Sequence, residues 1–189
     1  IGHITRRYIA SLEGGFDGFM SRRSSKFRAN LRKSVRAAAK EGIEFKTITV
    51  ADDKDAERVY ERILAIEEKS WKGKEGTGIL DGGMNTFYRI MIPRLIRRNA
   101  FRLVIARQDD IDIAYVFGAI FDDTYRGLQL SFDDIYRKLS LGNLMQRAMI
   151  ANLCDEGIKR YDLGSELDYK ASWAEERLES VTVWVWKER

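Results

Sequence analysis

The octapeptide Arg137–Leu144 (RKLSLGNL) lies between a run of strand-like segments and a strongly apolar segment. A glycine-containing loop that opens a helix exposes unpaired backbone N–H groups at the positive end of the helix dipole. Such a helix end binds phosphate through its main-chain donors. The octapeptide is therefore predicted to hold a pyrophosphate group.

The segments on either side of the octapeptide have the patterns of strands and of a buried helix. Three β-rich segments separated by short polar turns precede it, which predicts an antiparallel meander. After it, eight of the eleven residues from Leu144 to Cys154 are apolar, which predicts a helix buried on most of its surface. The predicted elements are strands at 101–107, 111–121 and 125–132, a helix at 143–156 ended by Gly157, and a strand at 160–163.

The rest of the sequence predicts further helices and two more strands. Asp52 and Asp53 have the chemistry of a helix N-cap, and Pro93 is expected to kink or split its helix. A glycine-rich loop, 72–83, is either a mobile lid over an acceptor site or a disordered surface loop. The remaining predicted elements are helices at 24–41, 52–71 and 84–98, a strand at 43–50 and a closing strand at 181–186 with both faces covered.

The composition limits the class of protein. The chain has 189 residues and is 44% hydrophobic, enough to bury the core of one domain, which we expect over residues 24–189. Residues 1–23 are expected to be an extension or a linker from a missing upstream segment. One cysteine excludes a disulfide scaffold and a cysteine-rich zinc site, and a reducing, cytoplasmic compartment is expected. Neither a membrane span nor a signal peptide is predicted.

Positive charge is concentrated near the start of the chain. Residues 1–50 hold 11 Lys or Arg and 4 Asp or Glu, whereas the whole chain has a net charge of only +4. Eight of these cations lie between residues 22 and 40, in a segment predicted to be helical. This basic segment is either a solvated face or a surface for an acidic substrate, RNA or cofactor phosphates.

Taken together, the order of elements and several short motifs resemble the GCN5-related N-acetyltransferase (GNAT) superfamily. The octapeptide is similar to that superfamily's Q/R-x-x-G-x-G/A signature, with Ser140 in place of the first glycine. Other motifs resemble the branch of CelD-like acetyltransferases of polysaccharide biosynthesis, which is related to the FemAB-type aminoacyl transferases. They are Ser25-x-x-x-x-Asn30-Leu31-Arg32-Lys33, Trp71 with Gly76-Thr77, Tyr161-Asp162-Leu163-Gly164, and Tyr169-Lys170-x-x-Trp173.

The resemblance implies an α/β fold of the α+β kind, with a central, mostly antiparallel mixed sheet flanked by helices. It also implies acetyl-CoA, or another acyl-CoA, as the co-substrate, and no metal. The pantetheine arm would lie along the strand before the octapeptide and the pyrophosphate on the loop amides. The implied co-substrate-binding residues are Ser131, Phe132, Arg137, Lys138, Leu139, Ser140, Leu141, Gly142, Asn143 and Leu144.

Acyl transfer to an amine needs a base for the ammonium, a donor to the thioester oxygen and an acid for the leaving thiolate. His3 is the single histidine and lies at the terminus, so carboxylates are the candidate bases: Asp133, Asp134 and Glu166. Each of them is alternatively a turn cap or a surface carboxylate. The resemblance implies that Tyr169 protonates the thiolate and that Lys170 stabilises the oxyanion or holds an acidic substrate.

We therefore expect an acyltransferase that acts on an amine or hydroxyl of a small-molecule or saccharide acceptor by direct attack in a ternary complex. Two alternatives stay open. One is a FemAB-like transferase that takes an aminoacyl group from tRNA, with the basic segment 22–40 on RNA phosphates. The other is a non-catalytic binding module that keeps the fold. The oligomeric state and the acceptor are not determined by the sequence.

Overall fold

The structure is a computed structural model that describes residues 4–50, 52–80 and 82–185, so His3 and Trp186 lie outside the described residues. The described strands are β1 (Ile4–Ser11), β2 (Glu44–Thr47), β3 (Phe101–Gln108), β4 (Ile111–Phe121), β5 (Thr124–Phe132), β6 (Arg160–Ser165) and β7 (Glu176–Val181). The helices are α1 (Gly15–Ser21), α2 (Ser25–Lys40), α3 (Asp53–Lys69), α4 (Trp71–Lys74), α5 (Gly82–Arg97) and α6 (Leu141–Asp155). Two 3-10 helices span Asp134–Leu139 and Asp168–Trp173.

The strands form one mixed sheet in the order β2-β3-β4-β5-β6-β1-β7. Only β5 and β6 are parallel neighbours, and the other neighbouring strands are antiparallel. The β5 to β6 crossover contains the 3-10 helix 134–139 and α6, as parallel neighbours require. The expected fold class, a mostly antiparallel mixed sheet flanked by helices, is confirmed.

Each face of the sheet buries its own hydrophobic core, because side chains alternate along every strand. In β3, Val104 and Ala106 face the core built with α1, α2 and α6. Leu103 and Ile105 face the other core, built with α3 and α5. The sheet is thus covered by helices on both sides.

Local capping chemistry sets several boundaries where the sequence predicts them. The Asp52 carboxylate accepts the N–H groups of Lys54 and Asp55 at the start of α3, at 2.9 Å each. Gly157, with a φ of 77°, follows the end of α6 and takes the left-handed conformation that favours glycine. Pro93 lies inside α5 without splitting it, since a proline removes one hydrogen bond of a helix whose other turns remain.

The first residues differ from the sequence-based expectation. Residues 4–23, which that analysis assigned to an extension or linker, form β1 and α1 within the sheet and its core. β1 lies between β6 and β7, and Phe19 of α1 is fully buried. The strand was missed because Arg6 and Arg7 interrupt its apolar pattern, although both are paired, with Glu179 and Asp162.

The expected closing strand at 181–186 is wrong. The last described strand is β7, whose pairing with β1 ends at the pair Ile4 and Val181, and residues 182–185 have no regular structure. Its faces are not covered either, since Val185 is 90% exposed and Val183 and Trp184 are also exposed. Alternating β-branched residues favour a strand, but a strand forms only where a neighbouring strand can pair with it.

A buried carboxylate joins three strands of the sheet. Asp162 of β6 accepts from the guanidinium groups of Arg7 on β1, at 2.8 Å, and Arg126 on β5, at 2.5 Å. The same carboxylate accepts the backbone N–H of Gly164 at 2.9 Å. The two arginines and the amide satisfy a charge whose burial would otherwise be unfavourable.

Replacing Asp162 by alanine leaves two arginines without a partner, and we expect a loss of about 3 kcal/mol in the free energy of unfolding. Urea denaturation of the two proteins measures it. The matched control is Glu179→Ala, which removes an exposed pair with Arg6 and should change the free energy of unfolding much less, because solvent screens exposed pairs. Equal losses for the two variants would contradict the structural role of Asp162.

No helix in the described ranges is long and apolar enough to cross a membrane.

Candidate functional site: a cleft between two diverging strands

The parallel strands β5 and β6 are paired over only three residues and then separate. The pairs are Thr124 with Arg160, Tyr125 with Tyr161 and Arg126 with Asp162. Beyond them, β5 continues to Phe132 with a partner on its β4 side alone. A cleft of about 560 Å³ opens between the two strands.

Tyr161 keeps the strands apart where they diverge. Its buried ring lies against Gly127, where an added Cβ would come within 2.9 Å of the ring. Its hydroxyl donates to the Gln146 side chain of α6, so the ring is fixed between both strands and the helix. Only glycine at position 127 leaves room for this ring.

The N-terminus of α6 opens into the same cleft. Asn143 and Leu144 donate their backbone N–H groups to the Ser140 carbonyl, at 3.0 and 3.2 Å. Among the described residues, the N–H groups of Leu141 and Gly142 have no acceptor. The predicted anion-binding loop, Leu139–Leu144, thus has two open amides, that is, amides without an acceptor; Gly142 lines the cleft, whereas Leu141 is fully buried. The helix begins at Leu141 and not at Asn143.

Ser140 occupies the position of the superfamily's first glycine in a conformation that favours glycine. Its φ of 56° and ψ of 39° are left-handed, and its side chain does not cap the helix. A residue with a Cβ adopts this conformation at a cost of about 1 kcal/mol. The loop geometry is therefore compatible with serine in place of glycine.

The cleft side of β5 carries the predicted residues Ser131 and Phe132. The Ser131 hydroxyl is buried, lines the cleft and has no hydrogen-bond partner among the described residues. Buried hydroxyls are nearly always hydrogen-bonded, so this one indicates a site for a polar ligand atom or a water. The backbone of β5 beside it is also without a neighbouring strand on this side.

Four charged residues that the sequence predicts at the site, three carboxylates and Arg137, do not line the cleft. Asp133 caps the 3-10 helix by accepting the Ile135 N–H at 3.1 Å, and Asp134 pairs with Arg137 at 3.1 Å. Glu166 is paired with Arg177 at 2.7 Å. None of these three carboxylates lines the cleft, whose described lining contains no Asp, Glu, His or Cys. Arg137 does not line it either.

Tyr169 and Lys170 do line the cleft, as the sequence predicts. Both belong to the 3-10 helix 168–173 that follows β6. Tyr169 is 53% exposed overall, and the partial burial of its phenol raises the pKa above the ordinary value, which already keeps the phenol protonated at neutral pH. The Lys170 ammonium donates to the Ser165 carbonyl at 3.1 Å.

Two cations that sequence reasoning missed also face the cleft, Lys72 and Arg126. The Lys72 ammonium donates to the Leu130 carbonyl of β5 at 2.7 Å, and burial lowers its pKa. Arg126 could have been identified from the sequence, because a charged residue within an otherwise apolar predicted strand is unusual. Lys72 gave none, because it follows α3 in a glycine-rich segment that resembled a loop.

The described residues of the segment 72–83, namely 72–80 and 82–83, are anchored to the core. Ile79 is buried and donates its N–H to the Glu67 carboxylate at 3.3 Å, and the Tyr115 hydroxyl donates to the same carboxylate at 2.9 Å. Gly78 lies so close to Glu67 that an added Cβ would fall 2.3 Å from the carboxylate. The start of this segment, Trp71 and Lys72, therefore forms a fixed wall of the cleft.

A second groove, of about 590 Å³, continues from the cleft across the start of α6. It lies between α2 and the loop after β5, and it shares Ser140, Asn143 and Tyr169 with the cleft. The groove contains the ammonium-bearing residues Lys26, Lys33 and Lys138, and no carboxylate in its described lining. Two other cations of the basic segment are structural: Arg28 donates to the Arg23 carbonyl and Arg22 donates to the Ser11 carbonyl.

Comparison with known proteins agrees with this geometry. The model of the Acetyltransferase (GNAT) domain family matches residues 25–171, more than three quarters of the chain. The chain belongs to this family, so it is an acyltransferase domain of the GNAT type. A search of curated protein sequences found no match.

Solved structures show the same fold at low identity. The match to the structure of FemX covers 93% of this chain and 59% of the FemX chain, with a TM-score of 0.65 and 12% identity. The C-terminal domain of a putative lysylphosphatidylglycerol synthetase from Agrobacterium fabrum covers 86% of this chain and 47% of its own (TM-score 0.57, 13% identity). The match to an aminoglycoside acetyltransferase from an uncultured soil metagenomic sample, in complex with sisomicin, covers 78% of this chain and 97% of that protein (TM-score 0.52, 12% identity). The chain thus spans about half the length of the first two.

Replacing Lys72 by methionine is predicted to stabilise the protein at neutral pH. Burial lowers the pKa of Lys72 in the folded state, so the unfolded chain binds the extra proton between that pKa and 10.5. The wild type consequently gains stability as pH rises through this window, and the advantage of the variant shrinks there. Urea denaturation of both proteins between pH 7 and pH 10 measures the difference.

The matched control is Lys74→Met, two residues away in α4 and exposed, which should not stabilise the protein at neutral pH. A lower stability of Lys72→Met at neutral pH would contradict the inferred burial penalty.

Proposed function

We propose that this domain transfers an acetyl or other acyl group from acyl-CoA to an amine or hydroxyl of a small-molecule or saccharide acceptor. The reaction is a direct attack within a ternary complex. The cytoplasm is the proposed location, in keeping with the lone Cys154 of the sequence. The observation that carries the proposal is that the unpaired edge of β5 and the open N-terminus of α6 face one cleft.

The β5 edge suits the pantetheine arm. From Gly127 to Phe132 its backbone has no strand neighbour on the cleft side, so an extended ligand with amide groups can bond to it as an added strand does. The unpartnered Ser131 hydroxyl lies beside this edge. A ligand placed here runs towards the start of α6.

The start of α6 and the second groove suit the phosphates. The open N–H group of Gly142, which lines the cleft, lies at the positive end of a helix of 15 residues. Lys138, Lys26 and Lys33 then line the groove that leads away from the cleft. We therefore propose that the pyrophosphate meets the Gly142 amide and that the rest of the nucleotide lies against α2.

Tyr169 and Lys170 are the proposed catalytic residues. Tyr169 keeps its proton at neutral pH, because the ordinary pKa of a phenol is already high and partial burial raises it, and it donates this proton to the sulfur as the carbon–sulfur bond breaks. Lys170 places positive charge beside the thioester oxygen. No carboxylate lines the described part of the cleft, so the acceptor amine loses its proton to water and not directly to Asp133 or Glu166.

The alternative donor is an aminoacyl-tRNA. Two observations support an aminoacyl-tRNA as the alternative donor: the basic groove on α2 and the likeness in fold to FemX. Binding of tRNA would become weaker steeply with added salt, because phosphate contacts release counterions. Tight binding of CoA that survives moderate salt supports the acyl-CoA donor.

Replacing Gly142 by valine should abolish binding of acetyl-CoA and leave the fold intact. An added Cβ meets only Phe132 and Leu130 side chains, at 3.7 and 3.8 Å, but the two valine methyl groups enter the cleft beside the open amides. Acetyl-CoA at about 100 times its dissociation constant adds about 2.7 kcal/mol of apparent stability to the wild type, which thermal melting detects.

Gly83→Val is the control for that experiment, because Gly83 lies in α5 with open space around its would-be Cβ. It should keep the full acetyl-CoA shift. A wild type that shows no shift with any acyl-CoA at millimolar concentration would refute the acyl-CoA donor, and a Gly142→Val variant with an unchanged shift would refute the loop as its site.

Replacing Tyr169 by phenylalanine should lower kcat by about 100-fold or more, the usual contribution of a positioned acid, with a small change in the KM for acetyl-CoA. Thiol release with an accepted amine measures both constants. Tyr136→Phe is the matched control, since its hydroxyl donates to Gln108 outside the cleft, and it should keep the wild-type kcat. Equal kcat values for Tyr169→Phe and the wild type would remove Tyr169 from the mechanism.

A further inference from the structure

Three cationic side chains from different elements face the cleft. Lys72 comes from α4, Arg126 from β5 and Lys170 from the 3-10 helix after β6. The co-substrate phosphates have a separate proposed site at the start of α6, beside the Gly142 amide. The three cations therefore need an explanation of their own.

Protein acceptors use only part of the hydrogen-bonding capacity of these groups. An ammonium carries three N–H donors. Lys72 gives one to the Leu130 carbonyl and Lys170 gives one to the Ser165 carbonyl, at 2.7 and 3.1 Å. Neither forms an ion pair among the described residues, so each has donors left for a group in the cleft.

The negative charge near these cations is small. Asp162 accepts from Arg126, but it is shared with Arg7, and Glu67 near Lys72 already accepts from Tyr115 and Ile79. Burial lowers the pKa of Lys170, repulsion from Arg126 and from Lys72 lowers it further, and attraction to Asp162 offsets part of this, so that the pKa stays below its ordinary value. An anion between these groups would remove the repulsion and use the remaining donors.

We propose that Lys72, Arg126 and Lys170 bind an anionic group, a carboxylate or a phosphate, on the acceptor. This inference rests on the proposed function in one respect: it assigns the anion to the acceptor because α6 already accounts for the co-substrate phosphates. Lys72 is the cation that tests this assignment, because it lies on the wall of the cleft formed by α4 and not at the start of α6. A single thioester oxygen needs only one or two donors, fewer than these three side chains provide.

The first experiment observes the lysines directly in the full chain with CoA at saturation, so that the α6 site is filled. Lysine side-chain ¹³C NMR gives the pKa of Lys72, Lys170 and Lys74 with and without malonate or inorganic phosphate. Either anion should raise the pKa of Lys72 and Lys170, because it favours the charged ammonium. The exposed Lys74, which pairs with Asp134, is the internal control and should not change more than with the same ionic strength of chloride.

The second experiment tests the acceptor with matched amines in the thiol-release assay with acetyl-CoA. The pairs are glucosamine and glucosamine 6-phosphate for a phosphate, and glycinamide and glycine for a carboxylate; kcat/KM is calculated on the concentration of neutral amine, because the amines within a pair differ in pKa. We expect kcat/KM to be at least about tenfold higher for the anionic member of one pair, the usual worth of a hydrogen bond to a charged group. Lys72→Met should reduce that preference to less than about threefold, Lys72→Arg should retain part of it, and Lys74→Met should leave it unchanged.

The outcomes separate this inference from the proposed function. If CoA fails to bind, the proposed function falls, while the lysine titration in the absence of CoA still measures the anion site. If CoA binds and neither anion raises the pKa of Lys72 or Lys170, the inference is refuted. It is equally refuted if Lys72→Met weakens CoA binding and leaves the acceptor preference intact, since the ammonium would then serve the co-substrate.

Discussion

The buried carboxylate of Asp162 is the contact on which the rest of this architecture depends. It joins β1, β5 and β6 through two guanidinium groups at the last residue pair before β5 and β6 separate. Just beyond it, Gly164 adopts a φ of 85° while its N–H is held by the same carboxylate. The sheet is therefore closed on one side of this point and open on the other, and the position of the cleft follows from it.

The two recognition elements of the cleft are consecutive in the chain. The open edge of β5 ends at Phe132, and α6 begins at Leu141. Between them lies a 3-10 helix whose start is fixed by the Asp133 side chain. Asp133 thus affects the site by positioning the loop and not by touching the cleft. A carboxylate predicted as a base is, in the structure, part of the support for the loop proposed to bind the anion.

The elements with strong local patterns could be predicted from the sequence. The β3-β4-β5 meander, α2, α3 and α6 follow from hydrophobic periodicity and from capping residues such as Asp52 and Gly157. β1 could not, because Arg6 and Arg7 are favourable there only through partners more than 150 residues away. The last strand was misplaced for the same reason, as its limits depend on the residues of β1 that pair with it.

The site was predictable where a motif lies within one loop and not where it is assembled from distant segments. Gly142, Tyr169 and Lys170 belong to local motifs and line the cleft as expected. Lys72 bonds to Leu130 of β5, 58 residues away in sequence, and the Arg126 side chain is held by Asp162 on the next strand. No local pattern encodes such contacts, and carboxylates at strand ends, such as Glu166, instead form pairs of their own.

The Lys72 ammonium on the Leu130 carbonyl has a consequence for how the protein avoids self-association. An unpaired strand edge is a template on which a segment of another polypeptide can pair. Charged lysines are one means by which natural sheets block such pairing. With the Leu130 carbonyl already engaged by a cation, this open stretch of β5 is a poorer template for a foreign β-strand, so the Lys72 side chain disfavours self-association at this edge.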